Sequence, residues 1–162
     1  KEVLANTALA PRFLALELTE SSIMQDADEA IERLEELRAL GVHISIDDFG
    51  TGYSSLSYLK RFPVDTLKID QTLIRDIASS QDAVAIVAAV ITMAQRLRLK
   101  VVAEGVETEA QVVRLREQGC HESQGYAFSQ PLPADDMEQL LREWALHRPS
   151  ELPSSSPSRS SP

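Results

Sequence analysis

Short apolar runs alternate with helix-length amphipathic stretches along this 162-residue chain, and each run is closed by acidic or other polar residues. This alternation constrains the fold more than any other feature, because parallel strands need crossovers of a dozen or more residues and helices supply them. Phe13 to Thr19 alternates as a strand does. A helix is expected from about Asp26 to Leu40, where Ala27, Ala30, Ile31, Leu34 and Leu37 recur at helical spacing and Gly41 offers a left-handed stop. Val42 to Asp47 is the second strand. The glycines and serines from Gly50 to Ser55 form a loop into a short helix over Leu56 to Arg61, which ends before Pro63. Thr66 to Asp70 is the third strand. The stretch from Asp82 to Arg98 is apolar almost all round and predicts a helix buried between the sheet and its neighbours. Lys100 to Glu104 is the fourth strand. Thr108 and Gln111 fit a capping box for a helix that stops at Gly119. A fifth strand falls within Glu122 to Phe128. The last helix runs from about Ala134 to His147, with Met137, Leu140, Leu141 and Trp144 on one face.

Beyond that helix the composition changes. The fourteen residues from Pro149 to Pro162 hold four of the eight prolines and seven serines. Such a segment cannot pack, so the expected organisation is a folded unit over 1–148 and a disordered Pro/Ser tail over 149–162. The folded part is short for a closed (β/α) barrel, which needs about 250 residues. A formal charge of −9 and a pI near 4.8 argue against holding a nucleic-acid backbone by charge, so DNA binding is not expected. The single cysteine, Cys120, cannot form an internal disulfide and suits a reducing cytoplasm. Lys1-Glu2-Val3-Leu4 opens without a basic-then-apolar signal, and Ala83 to Ile91 is too short to cross a bilayer. Cytoplasmic placement is therefore expected, with membrane anchoring of a longer parent left open.

In parallel α/β folds ligands bind at the carboxyl ends of the strands. The first strand ends in Glu17 and Glu20, the second in Asp47 and Asp48, and the third in Lys68 and Asp70. The fourth ends in Glu104 and Glu107, and the fifth carries Gln124. One exposed carboxylate is ordinarily a solvated loop charge or a helix cap; five consecutive strand ends are a pattern. Period-two arithmetic puts Ala15, Glu17 and Thr19 opposite Leu14, Leu16 and Leu18, and His43, Ser45 and Asp47 opposite Val42, Ile44 and Ile46. Lys68 and Asp70 likewise oppose Leu67 and Ile69, and Glu104 shares a face with Val102. One polar face results, directed inward if the strands curve into a barrel.

Like charges gathered inside a fold are costly unless cations compensate them. Glu17, Asp47, Asp48 and Asp70 offer only oxygen, and no Cys/His cluster has zinc spacing, so the set suits Mg²⁺ or Mn²⁺. His43 and His121 stand alone. Lys68 is either a structural counter-charge or a contact for an anionic substrate. Two cations on shared carboxylates fit phosphodiester hydrolysis.

Glu17-Leu18-Thr19-Glu20-Ser21, Asp47-Asp48-Phe49-Gly50-Thr51-Gly52-Tyr53-Ser54-Ser55-Leu56, Leu67-Lys68-Ile69-Asp70, Ala103-Glu104-Gly105-Val106-Glu107-Thr108 and Gln124-Gly125-Tyr126 occur in this order. In these motifs the chain resembles the EAL-domain family of cyclic-di-GMP phosphodiesterases, from about Ala5 to Leu146. The resemblance implies a TIM-like (β/α) barrel that opens cyclic-di-GMP to pGpG with Mg²⁺ or Mn²⁺ in a two-metal site. It implies that Glu17 and Asp47 ligate metal and that Asp48 and Asp70 serve the second ion or its water. Lys68 would contact the nucleophilic water or the phosphate, and Glu104 would be the general base. Gln124 would hold the metal-water network, Glu107 would support the site, and Glu20 would steady the loop after Asp48. That loop supplies the substrate-contact candidates Phe49, Gly50, Thr51, Gly52 and Tyr53. Structural alternatives stand beside these roles: Glu107 at the start of a helix, Phe49 and Tyr53 as loop packing, Gly105 and Gly125 as backbone requirements.

His121 and Gln130 depart from the family, which commonly has an acidic residue and a lysine there. The larger departure is that no Glu-Ala-Leu motif, following arginine or metal-binding asparagine precedes Glu17. The expectation is thus the C-terminal portion of an N-terminally truncated barrel, weak or inactive alone, from a parent phosphodiesterase with possible upstream sensor or GGDEF domains and a possible homodimer. One alternative is a degenerate module that binds cyclic-di-GMP or a protein partner without catalysis. Another, independent of the resemblance, is an enolase-like or Schiff-base barrel using Lys68 on a carboxylate or carbonyl substrate.

Overall fold

The computed structural model describes residues 1–52 and 56–146. It divides into two units, Lys1–Ser129 and the residues from Gln130 onward. Helix α1 (Glu2–Thr7) and a 3-10 turn over Pro11–Phe13 lead into β1 (Ala15–Thr19), so the first strand starts later than the alternation suggests. Pro11 accounts for the delay: it presets the turn, and Phe13 and Leu14 donate back to Ala10 and Pro11. There follow α2 (Glu20–Met24), α3 (Ala27–Ala39), β2 (His43–Phe49), α4 (Leu56–Leu59), β3 (Thr66–Ile69), α5 (Gln71–Ile74), α6 (Gln81–Arg96), β4 (Lys100–Ala103), α7 (Glu109–Glu117) and β5 (Glu122–Ser123). The second unit holds α8 (Ala134–Leu146). The tail expected from 149 onward lies outside the described residues.

The five strands form one parallel sheet in the order β1-β2-β3-β4-β5. Sequential order without reversal is the winding of a TIM-like barrel; a doubly wound sheet reverses order at a switch point. On the helix-covered face, Ile44, Ile46, Leu67, Ile69, Val101 and Ala103 meet Ile23, Leu34, Ile74, Val87, Ile91 and Leu115 in one core. The opposite face carries Glu17, Ser45, Asp47, Lys68 and Glu104.

Local signals in the sequence account for the element ends. Asp26 accepts from the Glu29 N–H at the start of α3, and Ser80 from the Ala83 N–H at the start of α6. Thr108 and Gln111 close the expected capping box on α7. Two expectations need correction. Helix α6 is not buried all round: Val87, Ile91 and Ala94 face the core while Ile86 is half exposed. Hydrophobicity alone exceeds what one sheet face can cover, so the remaining apolar side chains stay outside. The fifth strand is also shorter than its window, two residues: Gln124 still donates to the Ala103 carbonyl of β4 and accepts from the Val106 N–H, and the chain then turns at Gly125, which accepts from the Phe128 N–H.

Candidate metal and substrate site

The site is built at the carboxyl end of β2. Ser45 pairs with Thr66 and Ile46 with Leu67, yet Phe49 pairs with Ile69, so β2 spends three residues where β3 spends two. The extra residue is a β-bulge, and at it Asp48 adopts φ +54°, the left-handed region that a non-glycine residue enters at a cost. A strand of strict period two would point Asp47 to the polar face and Asp48 to the core. The bulge breaks that parity, allowing Asp47 and Asp48 to present carboxylates together while Phe49 turns into the core, 6% exposed. Phe49 thus packs in the core, in line with the loop-packing alternative for it.

One oxygen from each of Asp47, Asp48 and Glu104 lies within 4.8 Å of the others. Beside them stands Lys68, held at the middle of the sheet by β3. Its Nζ lies 2.7 Å from Glu104, 2.8 Å from Glu17 and 3.2 Å from Asp47. Burial alone would lower the Lys68 pKa, but its bonds to Glu104, Glu17 and Asp47 outweigh this and hold the ammonium above its usual range. Burial pushes the Glu104 carboxyl up; Lys68 pulls it down and the Asp47 charge adds to the rise, leaving it above the ordinary carboxylate range.

Asp70 is not in the three-carboxylate group. It caps α5, accepting from the Thr72 N–H at 2.9 Å and from the Thr72 hydroxyl, and it is almost fully buried. It does line, with Asp48, Glu104, Glu107 and Gln124, a cavity of about 350 Å³. Gln71 and Tyr126 line the same cavity and were not singled out in the sequence, although each directly follows or closes a motif. Gly125 is a backbone requirement: at φ +154° any Cβ would lie 2.2 Å from the Val106 carbonyl oxygen. His43 is at the other end of the sheet, bonded to Thr66 and 3.5 Å from Asp65, away from the carboxylates.

Glu20, 5% exposed, accepts from the Gly50 N–H at 3.2 Å and closes on Gly52, where a Cβ would lie 3.0 Å from its Oε1. Thr51 turns the loop by donating its hydroxyl and N–H to the Asp48 carbonyl. Tyr53 lies outside the described residues. Glu20→Ala should remove the buried acceptor of Gly50. The expected result is a loss of about 1–2 kcal/mol in urea unfolding, with faster amide hydrogen exchange confined to 49–52. Unchanged exchange there would show that the loop holds itself.

A sequence model described as the EAL domain matches residues 1–131. The chain is 54% identical over 144 residues to the cyclic di-GMP phosphodiesterase NbdA of Pseudomonas aeruginosa, covering 89% of the chain and 18% of that protein. It is 52% identical over 141 residues to the bifunctional diguanylate cyclase/cyclic di-GMP phosphodiesterase MucR of the same organism, covering 87% of the chain and 20% of that protein. The MucR phosphodiesterase solved with c-di-GMP superposes with a TM-score of 0.80 at 51% identity, over 84% of this chain and 55% of that one. Klebsiella pneumoniae BlrP1, solved with manganese and cyclic-di-GMP, superposes with a TM-score of 0.75 at 41% identity, over 80% of this chain and 33% of that one. The chain thus spans about a fifth of the length of the curated relatives it matches. Sequential parallel strands, acidic strand ends around a buried lysine and a match over residues 1–131 together show that the chain belongs to the EAL domain family.

Proposed function

We propose that this chain supplies most of the acidic machinery with which its parent hydrolyses cyclic-di-GMP to pGpG, in bacterial second-messenger signalling, using Mg²⁺ or Mn²⁺. The observation that carries this is the approach of Asp47, Asp48 and Glu104 oxygens to one another beside a buried lysine. All-oxygen donors at that spacing fit a hard divalent cation, and without one the cluster leans on Lys68 for charge balance. Glu17 with Asp47 and Asp48 with Asp70 are the proposed ligand pairs of a two-ion site, with Glu104 adjoining both Asp47 and Asp48. A divalent ion supplies charge neutralisation at the phosphate and activation of water when bound.

The chain's own residues do the rest. Glu104, its carboxyl pushed up by burial, is suited to take the proton of the attacking water as the new phosphorus–oxygen bond forms and the 3′-oxygen leaves. Lys68, charged throughout the physiological range, meets the negative charge that develops on the phosphoryl oxygens. Glu107 and Gln124 at the cavity wall hold water and ligand in place, and Glu20 keeps the 49–52 loop against the site. Possible upstream sensor or GGDEF domains, a homodimer and a cytoplasmic location belong to the parent; no described helix is long and apolar enough to cross a membrane.

The test is hydrolysis by the full-length parent with Mn²⁺, followed by chromatography of the nucleotide. Formation of pGpG, abolished by Glu104→Gln, supports the proposal. Tight binding of cyclic-di-GMP with Ca²⁺ and no pGpG with Mn²⁺ would favour the non-catalytic module instead.

A further inference from the structure

At the opposite end of the sheet from the carboxylates, the loops that enter β2, β3 and β4 enclose a second cavity, of about 490 Å³. Its polar lining reverses the charge of the molecule. Arg38 comes from the last turn of α3, Lys60 from the segment after α4, Arg98 from the α6–β4 connection and Lys100 from the first position of β4. Lys100 has a distant ion-pair contact, 3.9 Å, with Glu122. The side chains of Arg38, Lys60 and Arg98 make no ion pair or hydrogen bond among the described residues. The cavity's acid, Asp65, is already used: it accepts from the Ile44 N–H at 2.9 Å and lies 3.5 Å from the His43 ring. Four cations therefore surround a hollow in a chain of net charge −9, where diffuse repulsion would otherwise exclude anions.

The backbone gives a second, independent observation. Helices α3 and α7 are closed by glycines in the left-handed region, Gly41 at φ +86° and Gly119 at φ +82°. Helix α6 is closed in the same way by Arg98 at φ +61°, with Arg98 and Leu99 donating back to Gln95 and Ala94. Glycine is the ordinary residue for this cap because a Cβ is disfavoured there. An arginine at the cavity wall stands where α3 and α7 use glycine and α1 uses the small Ala8, at φ +54°.

We propose that this cavity is an anion site for a compact polyanion of the oligophosphate class, held by Arg38, Lys60 and Arg98 at the end of the sheet remote from the carboxylates. Guanidinium groups suit such a ligand because their planar donors match phosphate oxygens in pairs. Binding does not need the divalent site and should weaken with added salt.

The experiment is calorimetric titration of inorganic pyrophosphate into the metal-stripped full chain. One pyrophosphate per chain is expected, with affinity reduced at least about tenfold by Arg98→Gly or Lys60→Gln and unchanged by Arg116→Ala, a control on α7. Arg98→Gly is informative because glycine is at home in that conformation, so its thermal midpoint should match or exceed that of the parent chain; Lys60→Gln carries the test if it does not. Adenosine diphosphate binding tighter than pyrophosphate would assign the apolar floor around Phe62 and Val64 to an attached organic body. Equal binding would leave the phosphate group itself as the ligand, and either result supports the site. Absence of heat at millimolar pyrophosphate, or an affinity untouched by both cavity variants, would overturn it.

Discussion

Lys68→Met should cost the metal-free chain about 3 kcal/mol at neutral pH, the effect expected when one partner of a buried ion pair is removed and the others remain charged. Glu104 and Asp47 carry most of it, their side chains being 19% and 23% exposed, whereas Glu17, 51% exposed, is largely screened by water. The pH dependence has a definite sign. Lys68 has a folded pKa above its unfolded value of 10.5, so its contribution is complete below that value and disappears only as the pH rises through the higher folded one. Across neutrality the parent chain therefore keeps the whole of it. In the variant, Glu104 loses the partner that pulled its pKa down, so its carboxyl rises further. A carboxyl raised by folding favours the folded state below its unfolded value, and that advantage disappears as the pH climbs through the folded one. The deficit of the variant should thus be small near pH 5 and grow toward pH 8. Urea unfolding followed by circular dichroism at the two pH values measures it. Added Mn²⁺ should restore the variant more than the parent chain, because binding to the folded state adds stability by mass action. A variant as stable as the parent chain at pH 8 would show that water alone solvates the three carboxylates.

Asp48→Gly should move two quantities in opposite directions. Affinity for Mn²⁺ should fall at least about tenfold, about 1.4 kcal/mol, since one of three converging carboxylates is lost. Stability of the metal-free chain should not fall and should gain up to about 1 kcal/mol, because glycine adopts φ +54° without the steric cost borne by Asp48 and one like charge leaves the cluster. Aspartate tolerates this conformation better than most residues, and glycine adds disorder to the unfolded chain, so the gain stays modest. Calorimetric Mn²⁺ titration and thermal unfolding of the same preparation check both. A variant that loses stability would show that Asp48 has a structural role at the bulge; one that keeps its Mn²⁺ affinity would remove it from the ion site.

Much of the fold was legible because its signals are local. Alternating apolar periods, the Thr108 capping box and the Gly41 and Gly119 stops depend on neighbours within a few residues, and each is present. The polar face followed from the same arithmetic, which brought Glu17, Asp47, Lys68 and Glu104 to one side of the sheet from spacing alone. The misjudged elements are those where local hydrophobicity is ambiguous. The apolar girth of α6 does not say how much surface the sheet will cover, and the strand-like run after Glu122 does not show that the chain turns at Gly125 once Gln124 has bonded Ala103 and Val106.

By itself, then, the sequence determined a parallel α/β architecture, an acidic set of strand ends and the oxygen-only character of any cation site, because residue type and period suffice for these. Only the tertiary structure decided which carboxylates meet. The bulge that unites Asp47 with Asp48 and sends Phe49 to the core is a mismatch between two strands, a property of their pairing that neither possesses alone. The three-way contact of Lys68 and the reach of Glu20 to Gly50 likewise join groups far apart in the chain. So does the cationic cavity at the other end of the sheet, whose residues come from three separate stretches of the chain and share no motif. Periodicity assigns a side chain to a face; distance between faces and loops is set only when the chain closes on itself.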